Sequence, residues 1–531
     1  MSNRDLRAYV NGRIHPMAPG VTGTPTAMAC AGGRFVAVGS DEQVLDLAGA
    51  DAVVVDLGGA VVVPGFIETH VHPMMWGLML AGVDATPAAC ATIGSLIDAL
   101  RVRADHTAQG QLIEAWGFDD TLVADQRGLT TADLDQASAR HPILVRHASG
   151  HGIYLNSPAL AAAAVDAATP DPVGGVIVRD GAGVPTGELL EQPAMMLFPG
   201  ALPAMDVEAG CQALLRAQEA MVRVGVTSFH DMFVTAPMYD AYRRLDATGD
   251  LRLRGRLYLA EGLHEQLGGL PAPTDRLTVG GVKLISDGSV QLHTAALTEP
   301  YHDLGGCHCG GMAIPSDHLD SLVLENHAAG RTVAIHTNGD RAIDLALDAI
   351  AAAQHAHPDR PGGHRLEHVQ TLREDQIVRM AELAVAASIF VNHVYFWGDR
   401  HRNRFLGPAR GERISPVASV VAAGLGYALH SDCPVTPVHP LFTMNTAVHR
   451  VTREGDVLGP DQRVPPLAAL AGFTSSAARL AGEHADKGQI AAGQLADFVV
   501  LDGDPLAEGP VDLAAIQVKR TVVGGTTVFE A

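Results

Sequence analysis

The chain has 531 residues, 47% of them hydrophobic and 18% charged, a globular composition with length for one large domain and a smaller second one. Its formal net charge of −22 makes nucleic acid and anionic membranes poor partners. The six cysteines form no Cys-x-x-Cys pair, the Met1-Ser2-Asn3-Arg4-Asp5 start carries no apolar signal core, and no run approaches the roughly 18 apolar residues of a membrane span, which together point to a soluble protein of the reducing cytoplasm.

From residue 1 to about 63, short β runs alternate with turns. Tyr9-Val10-Asn11-Gly12 carries the Asn-Gly of a hairpin. Ala27 to Cys30, Gly32-Gly33 and Phe35 to Val38 read as another hairpin, and Val53 to Asp56 as a further strand. The run Ala60-Val61-Val62-Val63-Pro64 then leads into Gly65-Phe66-Ile67-Glu68-Thr69-His70-Val71-His72-Pro73 and reads as a buried strand ending in two histidines. Residues i and i+2 of a strand share a face, so His70 and His72 project together and can grip one divalent metal ion. A bare His-x-His is as often a pair of solvated or core histidines.

An interval of about 150 residues follows, far beyond an ordinary loop. Ser95 to Ala104 reads as a helix, and Ile143 to Val145 and Val176 to Val178 as strands, so residues 78–205 are expected to form an inserted cap over a barrel mouth. Seven further strands are expected at Val224–Phe229, Arg254–Leu259, Gly281–Ile285, Thr332–Ile335, His364–Leu366, Ala384–Val391 and Gly426–Leu429. Helical segments such as Arg341–His355 and Leu372–Leu383 lie between them. Repeated β-then-α units predict an α/β fold, a (β/α)8 TIM-like barrel over residues 64–487 with its active site at the C-terminal strand ends. The tail is β-rich again, with Ala496 to Leu501, Val518 to Val523 and Thr526 to Phe529. Residues 1–63 and 488–531 are therefore expected to meet in one small β-sandwich.

The polar residues of these strands fall at matching ends. Lys283, His336, His368 and Asp432 join His70 and His72, giving four histidines, a lysine and an aspartate that a barrel would bring to one point. A metal–water hydrolase needs such a set of neutral nitrogens, a carboxylate and an open coordination position. Cys307-His308-Cys309 has the wrong spacing for structural zinc, and its glycine-rich flanks suggest a loop.

The order His-x-His, Lys, His, His, Asp resembles the amidohydrolase superfamily. Pro64 to His72, His336-Thr337-Asn338-Gly339-Asp340-Arg341-Ala342, Glu367-His368 and Ser431-Asp432-Cys433-Pro434-Val435 look like its amidohydrolase-3 branch, which includes N-substituted formamide deformylases. His151-Gly152-Ile153-Tyr154-Leu155-Asn156-Ser157, Gly187 to Glu191, Lys487 to Ile490 and Gly493 to Asp497 extend the resemblance over nearly the whole chain.

The resemblance implies roles. His70 and His72 with Asp432 would hold the more buried divalent metal, most simply Zn2+, and His336 and His368 a second. Lys283 would take up carbon dioxide as a carbamate bridging the two; as an ordinary paired lysine it would leave a one-metal site. Asp432 would be the catalytic proton acceptor and donor for hydrolysis of an amide-type C–N bond other than a peptide bond, in an N-substituted formamide or N-acyl compound. A cyclic amidase, deaminase or esterase on the same frame, or a metal-binding regulatory protein, are the alternatives.

Substrate contacts are expected from His151, Asn156, His230, Asp231, His293 and Trp397, with Glu188 and Glu191 also able to face the mouth. Each has a structural alternative; Asn156-Ser157-Pro158 also reads as a helix start with Ser157 as its cap. His293 departs from the arginine-like residue that the resemblance implies there. Phe390 to Asp399 is an aromatic segment, able to wall a ring or alkyl group or to pack as a lip of the barrel. The partner is a small-molecule substrate, and a homodimer is the expected assembly.

Overall fold

The computed structural model describes residues 6–19, 23–49, 51–120, 122–148, 150, 152–172, 175–200 and 205–531. The chain divides into two compact units, Met1–His72 with Gln218–Ala531, and Pro73–Ala217.

The first unit is built on eight parallel strands, paired in chain order. They are β1 (Phe66–Val71), β2 (Val226–Val234), β3 (Arg254–Leu259), β4 (Leu277–Ile285), β5 (Val333–Thr337), β6 (Arg365–His368), β7 (Ala386–Ile389) and β8 (Tyr427–Leu429). The ring closes between its last and first members. Val71 and Cys433 form a parallel bridge, the His72 N–H donates to the Cys433 carbonyl (2.8 Å) and the Asp432 N–H to that of His70 (3.0 Å). This is the (β/α)8 TIM-like barrel expected from the sequence, with strand bounds shifted by a few residues.

Strand alternation sorts the side chains. Val282 and Leu284, Val333 and Ile335, Leu366, and Ala387 and Ile389 point outward into one apolar core shared with the helices. Helix Asp340–Ala356 turns Ile343, Ala346, Leu347, Ile350 and Ala353 onto that core at the three-to-four-residue spacing of a buried helical face. Lys283, Ala334, His336, Arg365, Glu367 and Ser388 occupy the alternate positions and face the barrel interior.

One reading of the sequence is corrected at β1. Val61–Pro64 and Phe66–Val71 are separate strands in different sheets, so the valine run does not carry the histidines. The chain crosses over at Gly65, where a Cβ would lie 2.2 Å from Thr227 Oγ1, a clash that only glycine avoids.

Two small sheets complete this unit. One runs Arg34–Gly39, Ala27–Ala31, Arg7–Val10, Val53–Asp56; the other runs Arg13–Ile14, Val61–Pro64, Phe498–Leu501, Val518–Val523, Thr526–Glu530. Tyr9, Met28 and Phe35 from the first pack with Ile14, Val62, Phe498 and Val522 from the second in a common core, a sandwich built from both ends of the chain. The expected Asn11-Gly12 hairpin is absent. Arg7–Val10 and Arg13–Ile14 lie in different sheets, and Asn11, at φ 55, turns the chain from one to the other. Ala27–Ala31 and Arg34–Gly39 do form a hairpin, across Gly32 and Gly33 at φ 56 and 76.

The second unit has its own six-stranded sheet, in the order Val176–Arg179, Pro185–Leu190, Gly152–Leu155, Ile143–His147, Ile113–Phe118, Val83–Asp84. Helix Ile93–Asp105 begins in a capping box between Thr92 and Ser95 and buries Ile93, Leu96, Ile97 and Leu100. Among the described residues no helix is long and apolar enough to cross a membrane.

At the start of β6 lies a buried histidine chain. His364 Nδ1 accepts the Val333 N–H (3.1 Å), His364 Nε2 lies 2.9 Å from His327 Nδ1, and His327 Nε2 meets the His357 carbonyl at 3.2 Å. Each ring must then be neutral, with its proton on Nε2. Burial and the neighbouring His327 lower the His364 pKa to about 4, and burial lowers those of His230 and His401 to about 3. In the unfolded chain these rings titrate at about 6.5, so below that pH the unfolded state binds more protons. Their contribution to stability is complete above pH 6.5 and is lost as pH falls through the folded-state values. The thermal unfolding midpoint should fall steadily from pH 6.5 to 4; a flat midpoint across that window contradicts the assignment.

Candidate functional site

The strand ends gather the six residues singled out in the sequence. His70 Nε2 and His72 Nε2 lie 3.3 and 3.4 Å from the same oxygen of Asp432, and one ligand atom from each of the three lies within 4.8 Å of the others. His368 Nδ1 is 3.7 Å from the other Asp432 oxygen. The His368 ring lies 4.7 Å from that of His70 and 4.6 Å from that of His336, centre to centre. The Lys283 ammonium, buried on β4, acts electrostatically on His70, His336 and His368 and is itself drawn by Glu367 and Asp432.

Two of these side chains reach the cluster through uncommon backbone. Glu367 and His368 are consecutive, yet both serve the same interior, which a regular strand forbids. His368 resolves the conflict at φ 70, and Asp432, just past β8, stands at φ 53. Non-glycine residues in this region cluster at functional sites.

Burial sets the charges. It holds His70 and His368 well below the usual imidazole range and lowers His336 to about 4, with Lys283 acting in the same direction on all three. Burial brings Lys283 down to about 8 against the pull of Glu367 and Asp432. Beside His336, burial raises Asp287 to about 7 although three backbone N–H groups donate to it.

The donor set suits a cation. His70 Nδ1 lies 2.7 Å from Glu367 Oε2. Glu367 is kept ionised, its pKa lowered by the Arg365 guanidinium and Lys283 although burial alone would raise it. The Nδ1 proton therefore belongs to that bond, and His70 Nε2 turns a lone pair towards an Asp432 oxygen at 3.3 Å. Two acceptors facing one another, with His72 Nε2 beside them, are the arrangement that a divalent ion stabilises.

The expected substrate contacts divide. His151 lies outside the described residues. Asn156 is structural: it caps helix Ser157–Ala162, its oxygen accepting the Ala159 and Ile143 N–H groups and its amide donating to the Ser138 and His141 carbonyls. The cap is thus Asn156 and not Ser157. His230 is buried against Arg365 (3.1 Å) and Glu483 (3.8 Å), beneath the metal-type cluster. Asp231 stands behind His72, 3.9 Å from its Nδ1, and accepts the Tyr242 hydroxyl at 2.7 Å. His293, at φ 58, contacts Asp303 (2.9 Å), which also binds Arg404, so its ring is engaged in a loop hydrogen bond. In the second unit Glu188 bonds the Tyr154 hydroxyl. Trp397 connects to the cluster through a run of tilted rings: Trp397 to His393 at 5.5 Å, His393 to Phe390 at 4.1 Å, and Phe390 to His430 at 5.2 Å.

Sequence reasoning passed over Arg365, Glu367, Ser388 and His430. His430 meets Ser388 Oγ at Nδ1 (2.8 Å) and His368 Nδ1 at Nε2 (3.3 Å), and it joins His70 and His368 in a second potential ligand group. The available signal was Arg365-x-Glu367, two charges on one face of a strand that a barrel must bury.

Comparison with known proteins places these observations in a family. The model of the amidohydrolase family matches residues 53–529. The chain is 30% identical over 518 residues to the N-substituted formamide deformylase of Arthrobacter pascens, covering 95% of each chain. It is 32% identical over 494 residues to the putative amidohydrolase YtcJ of Bacillus subtilis strain 168, covering 90% of each. Among solved structures, an uncharacterized metal-dependent hydrolase from Pyrococcus horikoshii OT3 superposes with a TM-score of 0.78 at 25% identity, over 96% of this chain and 99% of that one.

Asn156→Ala strands two buried carbonyls and two N–H groups and removes a helix cap. It should cost about 2–4 kcal/mol of stability in denaturant unfolding; a loss too small to resolve would return Asn156 to the list of functional candidates.

Proposed function

Because this chain belongs to the amidohydrolase family, in its amidohydrolase-3 branch, and is a hydrolase acting on carbon–nitrogen bonds, we propose that it uses a metal-activated water to cleave a linear amide, an N-substituted formamide or a related N-acyl compound. The observation that carries the reading is the convergence of His70 Nε2 and His72 Nε2 on one oxygen of Asp432, at 3.3 and 3.4 Å. On this reading those three residues hold one divalent cation, and imidazole nitrogen with carboxylate oxygen suits Zn2+. His336 and His368 would hold a second, to which Lys283, as a carbamate, would add oxygen ligands. A lysine held at about 8 has the neutral fraction that uptake of carbon dioxide requires. A bound divalent ion supplies Lewis acidity, bringing water towards deprotonation at neutral pH and polarising a carbonyl oxygen.

The protein's own groups do the rest. Asp432, with one oxygen against the two histidines and the other towards His368, accepts the proton released as water adds to the carbonyl carbon. It returns that proton to the nitrogen as the C–N bond breaks, leaving a free amine and a carboxylic acid. Glu367 fixes the ring of His70, and Asp231 stands behind His72. Phe390, His393 and the half-buried Trp397 form an aromatic wall from the cluster outward, suited to the substituent on the nitrogen. The Arthrobacter pascens relative supports the same substrate class.

A panel of N-substituted formamides, longer N-acyl amines, cyclic amides and esters, assayed with Zn2+-loaded protein, tests the substrate. Fastest release of an amine from the formamides is expected; turnover confined to esters or cyclic amides would overturn the linear-amide reading. Asp432→Asn should lower kcat by at least about 100-fold with the fold retained by circular dichroism. Near-normal turnover in that variant would refute the role given to Asp432.

A further inference from the structure

We propose that Arg365 and Glu367 form a single positioning device that fixes both the proton and the ring plane of His70, making His70 the rigid anchor of the site and His72 its adjustable partner. The inference rests on the metal-site reading above and concerns how this chain prepares that site.

Both residues are fully buried on β6. The Arg365 guanidinium donates to both Glu367 oxygens, from Nε to Oε1 and from Nη2 to Oε2 at 3.0 Å. It also donates to the Thr69 carbonyl (2.9 Å) and to Ser388 Oγ (3.0 Å), meets His230 Nδ1 at 3.1 Å and lies 5.3 Å from the centre of the Tyr258 ring. A planar fork held from β1, β2, β3 and β7 at once has no freedom to turn. The carboxylate it grips therefore has one orientation, in which Oε2 faces His70 Nδ1 at 2.7 Å.

A carboxylate accepts and cannot donate, so this contact admits only the Nδ1–H form of His70. Nε2 is left as the lone pair, aimed at the shared oxygen of Asp432. The His70 side chain is 1% exposed, whereas that of His72 is 21% exposed. Among the described residues His72 Nδ1 has only Asp231, at 3.9 Å and beyond hydrogen-bond reach. One ring is thus fixed by a buried ion pair and the other is not, although the two stand two residues apart at the end of β1.

Conservative changes at Glu367 expose the device. In Glu367→Gln the amide cannot accept from Arg365 Nε, Arg365 Nη2 and His70 Nδ1 together. Either its NH2 group faces an arginine donor or it faces Nδ1 and drives the His70 proton to Nε2. Glu367→Asp keeps the charge but shortens the reach to Nδ1. The full-length protein and both variants are stripped of metal and titrated with Zn2+ against a chromophoric chelator. Asp231→Asn serves as the comparison, since it removes a nearby carboxylate that makes no bond to a histidine ring. Both Glu367 variants should weaken Zn2+ binding about 10- to 100-fold, with Asp231→Asn well short of that loss and the metal-free melting temperature of Glu367→Asp close to that of the parent.

Wild-type affinity in both Glu367 variants would overturn the proposal, and so would an equal loss in Asp231→Asn, which would reduce the effect to local negative charge. Should Glu367→Gln fail to fold, Glu367→Asp decides alone. If the parent protein itself takes up no Zn2+, the metal-site reading falls first; a parent that binds Zn2+ as tightly as both Glu367 variants removes only the positioning role.

Discussion

The barrel closes on the hydrogen bonds that also build its site. At the seam between β8 and β1, the Asp432 N–H reaches the His70 carbonyl and the His72 N–H reaches the Cys433 carbonyl. The side chains carried by those peptides are the ones that converge. The geometry of this cluster and barrel closure are therefore one constraint, and a shift of register at the seam would displace the carboxylate from the two imidazoles. The left-handed backbone of Asp432 belongs to the same join, since the chain must turn there to aim its carboxylate back across the gap.

Around the seam, desolvation of His70, His336, His368 and Lys283 acts in a direction that favours lone-pair donors. It holds the buried imidazoles neutral and partly discharges Lys283. The same burial would neutralise Glu367 too, were Arg365 not beside it. A paired buried charge is costly to assemble and contributes little net stability, so its presence here is better understood through orientation than through strength. Apolar strand faces outside and charged faces inside are two halves of one alternation, and a core of Val282, Leu284, Val333, Ile335 and Leu366 carries the stability that the interior does not supply.

Much of this was legible in the sequence, because strand alternation and apolar runs are local signals. The barrel strands, most of the sandwich strands at both ends and the six polar residues at the strand ends could be read before any coordinates, although Val61–Pro64 was merged with β1 and Arg13–Ile14 was not read as a strand. What escaped reading depends on contacts between distant segments. Gly65 is a glycine because Thr227 stands against it, and nothing near residue 65 announces Thr227. Asn11 looked like a hairpin turn, and the competing strands that recruit its two neighbours into different sheets come from residues 53–64. Asn156 looked like a ligand contact because it is polar and sits in a shared motif, yet its bonds are spent on backbone groups of residues 138–143 and 159. Glu367 was quoted without a role and Arg365 was passed over. Sequence spacing gives the face on which they lie, but only the folded barrel reveals which histidine that face meets.

The small sandwich shows how late this protein becomes itself. Strand Val61–Pro64, immediately before β1, finds its partner in Phe498–Leu501, and the histidines that follow find their carboxylate only when residue 432 has left the ribosome. A nascent chain thus carries His70 and His72 long before Asp432 can meet them. Such pairings between remote segments are slow to form. The cluster is therefore assembled late, once segments far apart in the sequence have met.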